Sequence, residues 1–321
     1  MLMNATAWFA PAVSRTAPTW RELKRGGTAL LRMYAGVFLS SSPAVGALLL
    51  LATGLVPASG FLGLIAVASA VLTARLIGLS SETAPSTTFA YNALFLGLGA
   101  SHTFAFPAAA LALATLGAAA CVIATAALSS WLSPLGLPVL SLPFVLVYFC
   151  AISFGSAVGA AWAEPLPTGG SLAAHWLAPL SLFLEALGAL LFTARWDVGF
   201  VVLASLCVRG GQALPLAAFA FAITLLCCAA LAPEASGLAF SAAINGIFSA
   251  IVLGTGWYAP SLRSYVRAGF GVLLSLLCTV ALAAPLGRLG FTPASLPFNF
   301  SILAALLISR QRAATSQLAK E

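Results

Sequence analysis

Leu137-Pro138-Val139-Leu140-Ser141-Leu142-Pro143-Phe144 returns near the far end of the chain as Phe291-Thr292-Pro293-Ala294-Ser295-Leu296-Pro297-Phe298. In each copy two prolines bracket a lone serine. Proline forbids a continuous helix and pushes the residue before it toward an extended conformation, so the backbone here must be non-helical. A long apolar run follows each copy, at 144–154 and 298–308. Irregular backbone at membrane depth is tolerated only where it lines a cavity or is buried in protein. The two copies are therefore expected to form the walls of a pore.

The composition sets the medium. Hydrophobic residues are 61% of the 321 positions, charged residues are 7%, and the mean hydropathy is +1.07. An ordinary soluble domain is roughly 45–50% apolar and about 25% charged. This is an integral membrane protein in contact with lipid. The strict apolar/polar alternation of a closed barrel is absent, so the spans are α-helical. The formal charge of +7 is spread over the ends of apolar runs rather than gathered with aromatics. It reads as a topology signal, with no nucleic-acid partner. All six cysteines fall inside apolar runs without metal or redox spacing and read as packing residues.

Residues 1–27 are mixed and basic and lack the apolar core and cleavage site of a removable signal, so a cytoplasmic arm is expected. The apolar run 28–39 is too short to span and ends at Ser40-Ser41-Ser42-Pro43, which suggests a half-helix dipping into the membrane. Spans are expected at 44–60, 61–79, 89–106, 107–132 and 143–160. A Pro/Gly-rich linker at 161–176 divides the chain. Apolar stretches resume at 177–193, 198–208, 213–232, 238–256, 264–287 and 298–309, followed by a tail at 310–321.

Three landmarks recur at nearly one interval: Asn92 with Asn245 (245 − 92 = 153), Gly46 with Gly199 (199 − 46 = 153) and Ser141 with Ser295 (295 − 141 = 154). The chain reads as a duplication, with repeats at 28–160 and 177–309. Both ends are basic while the linker carries Glu164 and no Lys or Arg. The positive-inside rule then puts both termini in the cytoplasm of a multi-pass protein of the inner or plasma membrane. Five crossings per half make the second repeat inverted, ten spans in all. Arg195 and Arg209 fit this poorly, since they fall near the outer face. The expected fold is an all-α integral membrane protein of two inverted five-helix repeats with re-entrant half-helices around a central pore.

The motif offers the carbonyls of Pro138, Val139 and Leu140 with the hydroxyl of Ser141, and Pro293, Ala294 and Ser295 repeat the design. Two rows of oxygen acceptors facing across a pseudo-two-fold axis suit a solute rich in N–H donors. The same pattern would arise from kinked helix starts alone. Asn92 and Asn245 either touch solute or tie adjacent helices together. Glu185 lies in an apolar run, where a carboxylate either has a function or pairs with Arg195. His102 is read as interfacial, and His175 falls in the linker.

With Tyr91-Asn92-Ala93-Leu94-Phe95-Leu96-Gly97 and the first proline–serine motif in one half, Asn245-Gly246 and the second motif in the other, and MYAGVFLSSSPAVG at 33–46, the chain resembles the bacterial and animal urea transporters over 28–309. The resemblance implies a homotrimer whose protomers each conduct urea passively, with no cofactor, ATP use or ion coupling. It places the hydroxyl ladder on Ser141 and Ser295. The apolar slot pairs fall on Tyr91 with Phe95 and on Ile244 with Phe248, with further slot positions at Leu39 and Phe192. A flat solute squeezed there must shed its water, which excludes hydrated ions. The family's glutamine or glutamate before the Val-Phe pair of the leading half-helix is replaced by Gly36 and Ala189. The function expected is a passive, channel-like transporter of urea or a close small-amide analogue. The alternatives are a channel for another small solute such as ammonium or another amide, a membrane enzyme using Glu185 or His102, or a non-conducting membrane subunit in which Tyr91 and Phe95 simply pack.

Overall fold

Prolines set the helix starts. Pro43 and Pro57 stand in the first turns of their helices, where the missing N–H is no loss. Pro143 plays the same part in the helix that follows the first proline–serine motif. The computed structural model describes residues 20–79, 86–105, 107–162, 178–231, 236–255 and 261–318. Most of the N-terminal arm, and the linker beyond Trp162 with Glu164 and His175, lie outside the described residues.

The first half contains α1 (Trp20–Ala35), extended by a 3-10 turn at Gly36–Phe38, then α2 (Pro43–Gly54), α3 (Pro57–Leu76) and α4 (Ser86–Thr103). It continues through α5 (Pro107–Ala112), a π-helical turn, α6 (Ala118–Leu132) and α7 (Leu142–Ala157). The second half contains α8 (Ala178–Ala189), α9 (Trp196–Arg209), α10 (Ala213–Leu231), α11 (Ser236–Thr255), α12 (Leu262–Arg288) and α13 (Leu296–Leu318). Moving the first half along by the repeat interval lays α1–α4 on α8–α11, α5 and α6 on α12, and α7 on α13.

Among the described residues, five helices are long and apolar enough to cross a membrane, including Pro57–Leu76, Pro107–Leu135 and Leu262–Arg288. A further pair, Arg25–Phe38 with Pro43–Gly54, is bent by 82° at its break. That bend is the expected half-helix ending at Ser40-Ser41-Ser42-Pro43. Large side chains such as Leu76, Leu116, Phe154 and Leu226 stand exposed on the outside, as lipid contact requires. The protein is thus an all-α, multi-span membrane protein. Two boundaries differ from the sequence reading. The break expected at 60–61 falls at Val56, because Pro57 starts α3. The stretch 310–318, expected as a tail, continues α13.

Close backbone crossings hold each half-helix against its successor. A Cβ on Gly46 would sit 1.7 Å from the Leu31 carbonyl oxygen, and one on Gly199 would sit 1.7 Å from that of Leu184. No side chain fits at either place, so both helix pairs need glycine at the crossing. Gly46→Ala and Gly199→Ala should each lower the thermal unfolding temperature in detergent, with overpacking costing about 1–3 kcal/mol. Gly54→Ala, where a Cβ would meet nothing within 4 Å, should leave it unchanged or slightly raised.

Candidate permeation pathway

Among the described residues, four non-glycine residues have left-handed backbone: Leu39 (φ 51°), Leu140 (φ 52°), Phe192 (φ 64°) and Ala294 (φ 47°). This conformation costs an L-residue roughly 1–2 kcal/mol. Leu39 and Phe192 end the two half-helices. Leu39 N–H donates to Gly36 O (3.0 Å) and Ser40 N–H to Ala35 O (3.1 Å); Phe192 N–H donates to Ala189 O (3.0 Å) and Thr193 N–H to Gly188 O (3.2 Å). Glycine usually holds such a position. Large apolar side chains there, despite the strain, point to a use for those side chains.

Leu140 and Ala294 are the apexes of the two proline–serine turns, and an asparagine secures each turn. Asn92 Nδ2 donates to Leu140 O at 3.0 Å, while Asn92 Oδ1 accepts the Phe144 N–H at 3.1 Å. Asn245 repeats this with Ala294 O (2.9 Å) and Phe298 N–H (3.1 Å). The second amide hydrogen goes to Thr88 O (3.1 Å) in one half and Ser241 O (3.0 Å) in the other. Both asparagines therefore tie helices to turns, and their amide hydrogens are committed to protein carbonyls.

The two turns meet. Ser141 Oγ and Ser295 Oγ are 2.8 Å apart. Rather than facing across an open gap, the two serines touch. Both line a cavity of about 300 Å³, together with Leu39, Tyr91, Phe95, Leu140, Phe192, Ile244, Phe248 and Ala294. Pro138 and Val139 line a second cavity of about 560 Å³, which shares Gly36, Leu39, Tyr91 and Leu140 with the first. Pro293 lines neither of these two. Phe95 and Phe248, one from each half, meet edge to face at 6.2 Å. Phe95 also touches Phe144 (5.7 Å), and Phe248 touches Phe298 (5.5 Å). Among the described residues, no charged side chain lines either cavity.

Not every expected acceptor is free. Tyr91 Oη donates to Leu140 O at 2.8 Å, so that carbonyl already accepts two bonds. Ile244 stands where Tyr91 does and has no hydroxyl, which leaves Ala294 O its second lone pair. The Val139 and Pro293 carbonyls accept N–H groups of their own turns, from Leu142 and Leu296.

Arg209 does not mark an outer edge. Its Nε donates to Phe38 O (2.9 Å) and its Nη2 to Thr255 Oγ1 (2.8 Å), which joins the second half to the tip of the first half-helix. Arg195 pairs with Asp197 rather than Glu185, and Glu185 accepts a hydrogen bond from Ser181 at 3.0 Å. His102 Nε2 is 3.5 Å from Thr193 Oγ1. Sequence reading missed Asn299, which is fully buried and bonded to Ser141. Its signal was an amide in an apolar run, one turn beyond Ser295.

These features define a class: a multi-span α-helical membrane protein of channel type, with a neutral cavity between two similar halves. A protein-family model described as urea transporter matches residues 28–310, and the chain belongs to that family. Its members are channel-like transporters and not enzymes. No curated protein matches the chain.

Asn92→Leu should orphan the Leu140 carbonyl and the Phe144 N–H, at about 1–3 kcal/mol for each buried group. A lower unfolding temperature and reduced solute flux are expected. Asn92→Asp, which keeps the acceptor for Phe144 but sets an oxygen against the Leu140 and Thr88 carbonyls, should lose at least as much of both.

Proposed function

We propose that this protein conducts urea, or a close small-amide analogue, passively down its gradient along the path past Ser141 and Ser295. The single observation carrying this reading is the shared cavity, in which two touching hydroxyls stand with a slot of phenyl rings from both halves and no charged lining. A hydrated ion loses its water there with nothing to replace it. Urea keeps hydrogen bonds along one edge, to the two serine oxygens and to the open side of Ala294 O, while its faces lie against Phe95, Phe248, Tyr91 and Ile244. Leu39 and Phe192 narrow the two ends.

The repeated asparagine, glycine and serine landmarks support two inverted repeats, 28–160 and 177–309, with ten spans and cytoplasmic termini in a cell inner or plasma membrane. The family resemblance supports a homotrimer with one path in each protomer. One feature favours a second reading, conduction of another small amide. Gly36 and Ala189 both line the first cavity, so neither mouth carries the carboxamide or carboxylate that the family resemblance leads one to expect.

In proteoliposomes followed by stopped-flow light scattering, urea flux should be fast and indifferent to sodium or proton gradients. Acetamide in place of urea decides between the two solutes. Flux that disappears when the gradients collapse would reject the channel reading. Ser141→Ala with Ser295→Ala should reduce urea flux about tenfold, the worth of one or two hydrogen bonds. Unchanged flux in a correctly folded double variant would remove the serines from the path.

A further inference from the structure

Ser141 and Ser295 are partners in the repeat, but their surroundings are not equivalent. One turn beyond Ser295 lies Asn299, and the matching position beyond Ser141 (299 − 154) is Val145. Asn299 Nδ2 donates to Ser141 Oγ at 2.9 Å and to Ser295 O at 2.7 Å, and its Oδ1 accepts the Ser141 N–H at 3.2 Å. These partners assign the amide. A flipped carboxamide would set N–H against N–H at Ser141 and oxygen against oxygen at Ser295. Both amide hydrogens are committed, and one lone pair of Ser141 Oγ is held by protein.

The hydrogen-bonding capacity of the narrow point can then be counted. Two hydroxyls carry two protons and four lone pairs. Their 2.8 Å contact uses one of each, and Asn299 uses another lone pair. One O–H proton and two lone pairs remain for whatever passes. With an apolar residue at 299, as at Val145, the remainder would be one proton and three lone pairs. A hydroxyl that accepts a bond is also polarised to donate a stronger one.

We propose that Asn299 is a specificity-determining positioning residue that acts through Ser141. Its permanent donation removes one of three free lone pairs and leaves the one free proton, which shifts the serine pair from acceptor-rich toward a balanced donor–acceptor site. Such a site matches a neutral solute presenting C=O and N–H on one edge, as amides do. It mismatches solutes that only donate, such as alkylammonium ions. This inference rests on the proposed function and deepens it by naming the chemical reason for preferring amides over ammonium-like solutes.

The test is the ratio of methylammonium to urea permeability in proteoliposomes, for the wild type, Asn299→Val, Asn299→Asp, Ser141→Ala and the Ser141→Ala/Asn299→Val pair. Asn299→Val should raise the ratio about fivefold, the worth of one ordinary hydrogen bond. Asn299→Asp, which adds a carboxylate that itself attracts cations, should raise it by more, and the unfolding temperature of each variant in detergent shows whether it is folded. In the Ser141→Ala background Asn299→Val should change nothing further, an outcome that a purely structural role would not give. Unchanged ratios in folded variants, or an equal shift with Ser141 already removed, would overturn the role of Asn299 while the wild-type urea flux stands. A wild type that passes no urea rejects the proposed function itself, and this inference with it.

Discussion

Two buried asparagines make the centre of this protein possible. A chain that leaves the helical conformation among apolar neighbours exposes N–H and C=O groups that no water can satisfy. At Leu140 and Ala294 the backbone also turns left-handed, which side-chain sterics oppose. Asn92 and Asn245 answer both problems by holding a carbonyl at the apex and an N–H four residues later in the same carboxamide. The turns are thereby fixed to α4 and α11, and the serines between the two anchor points are brought into contact. The shape of the cavity follows from those eight-residue segments.

The frame is doubled, but the chemistry hung on it is not. At matching positions Tyr91 and Ile244 close or leave open the carbonyl beside them, and Asn299 has only Val145 as its counterpart. Arg209 bonds the Phe38 carbonyl at the tip of the first half-helix, whereas its repeat partner is Val56. A cation at the carbonyl end of a helix is well placed, since unsatisfied C=O groups there carry partial negative charge. In the second half Thr193 and His102 occupy the corresponding region, only weakly in contact. The side chains on the two sides of the serine pair therefore differ, although the backbone around them is nearly the same.

The membrane environment explains why so little polar chemistry suffices. Beside the phenyl rings the Ser141–Ser295 pair is one of a few polar groups in the lining of the first cavity, and each bond it forms counts for more than it would in water. The strained turn residues Leu39 and Phe192 belong to the same economy. Glycine would relieve the backbone there, but it would remove two large apolar side chains from the lining of the cavity.

Local rules acting on the one-dimensional chain were enough for the helices, the medium and the repeat. Apolar run length measures a membrane crossing, proline interrupts it, and the Gly46–Gly199 and Ser141–Ser295 intervals align the halves whatever the tertiary arrangement. The same rules marked the turns, because a proline pair is legible without neighbours. They offered a structural tie for Asn92 and Asn245 but could not tell which groups the two hold, that the Leu140 carbonyl is already occupied, or that Arg209 reaches the Phe38 carbonyl. Each of these depends on which groups from positions some 50 to 170 residues away arrive within 3 Å. Asn299 is the clearest case. As one amide in an apolar stretch it had no partner in view, and only the meeting of α13 with the first serine turn brought it within hydrogen-bond distance of Ser141.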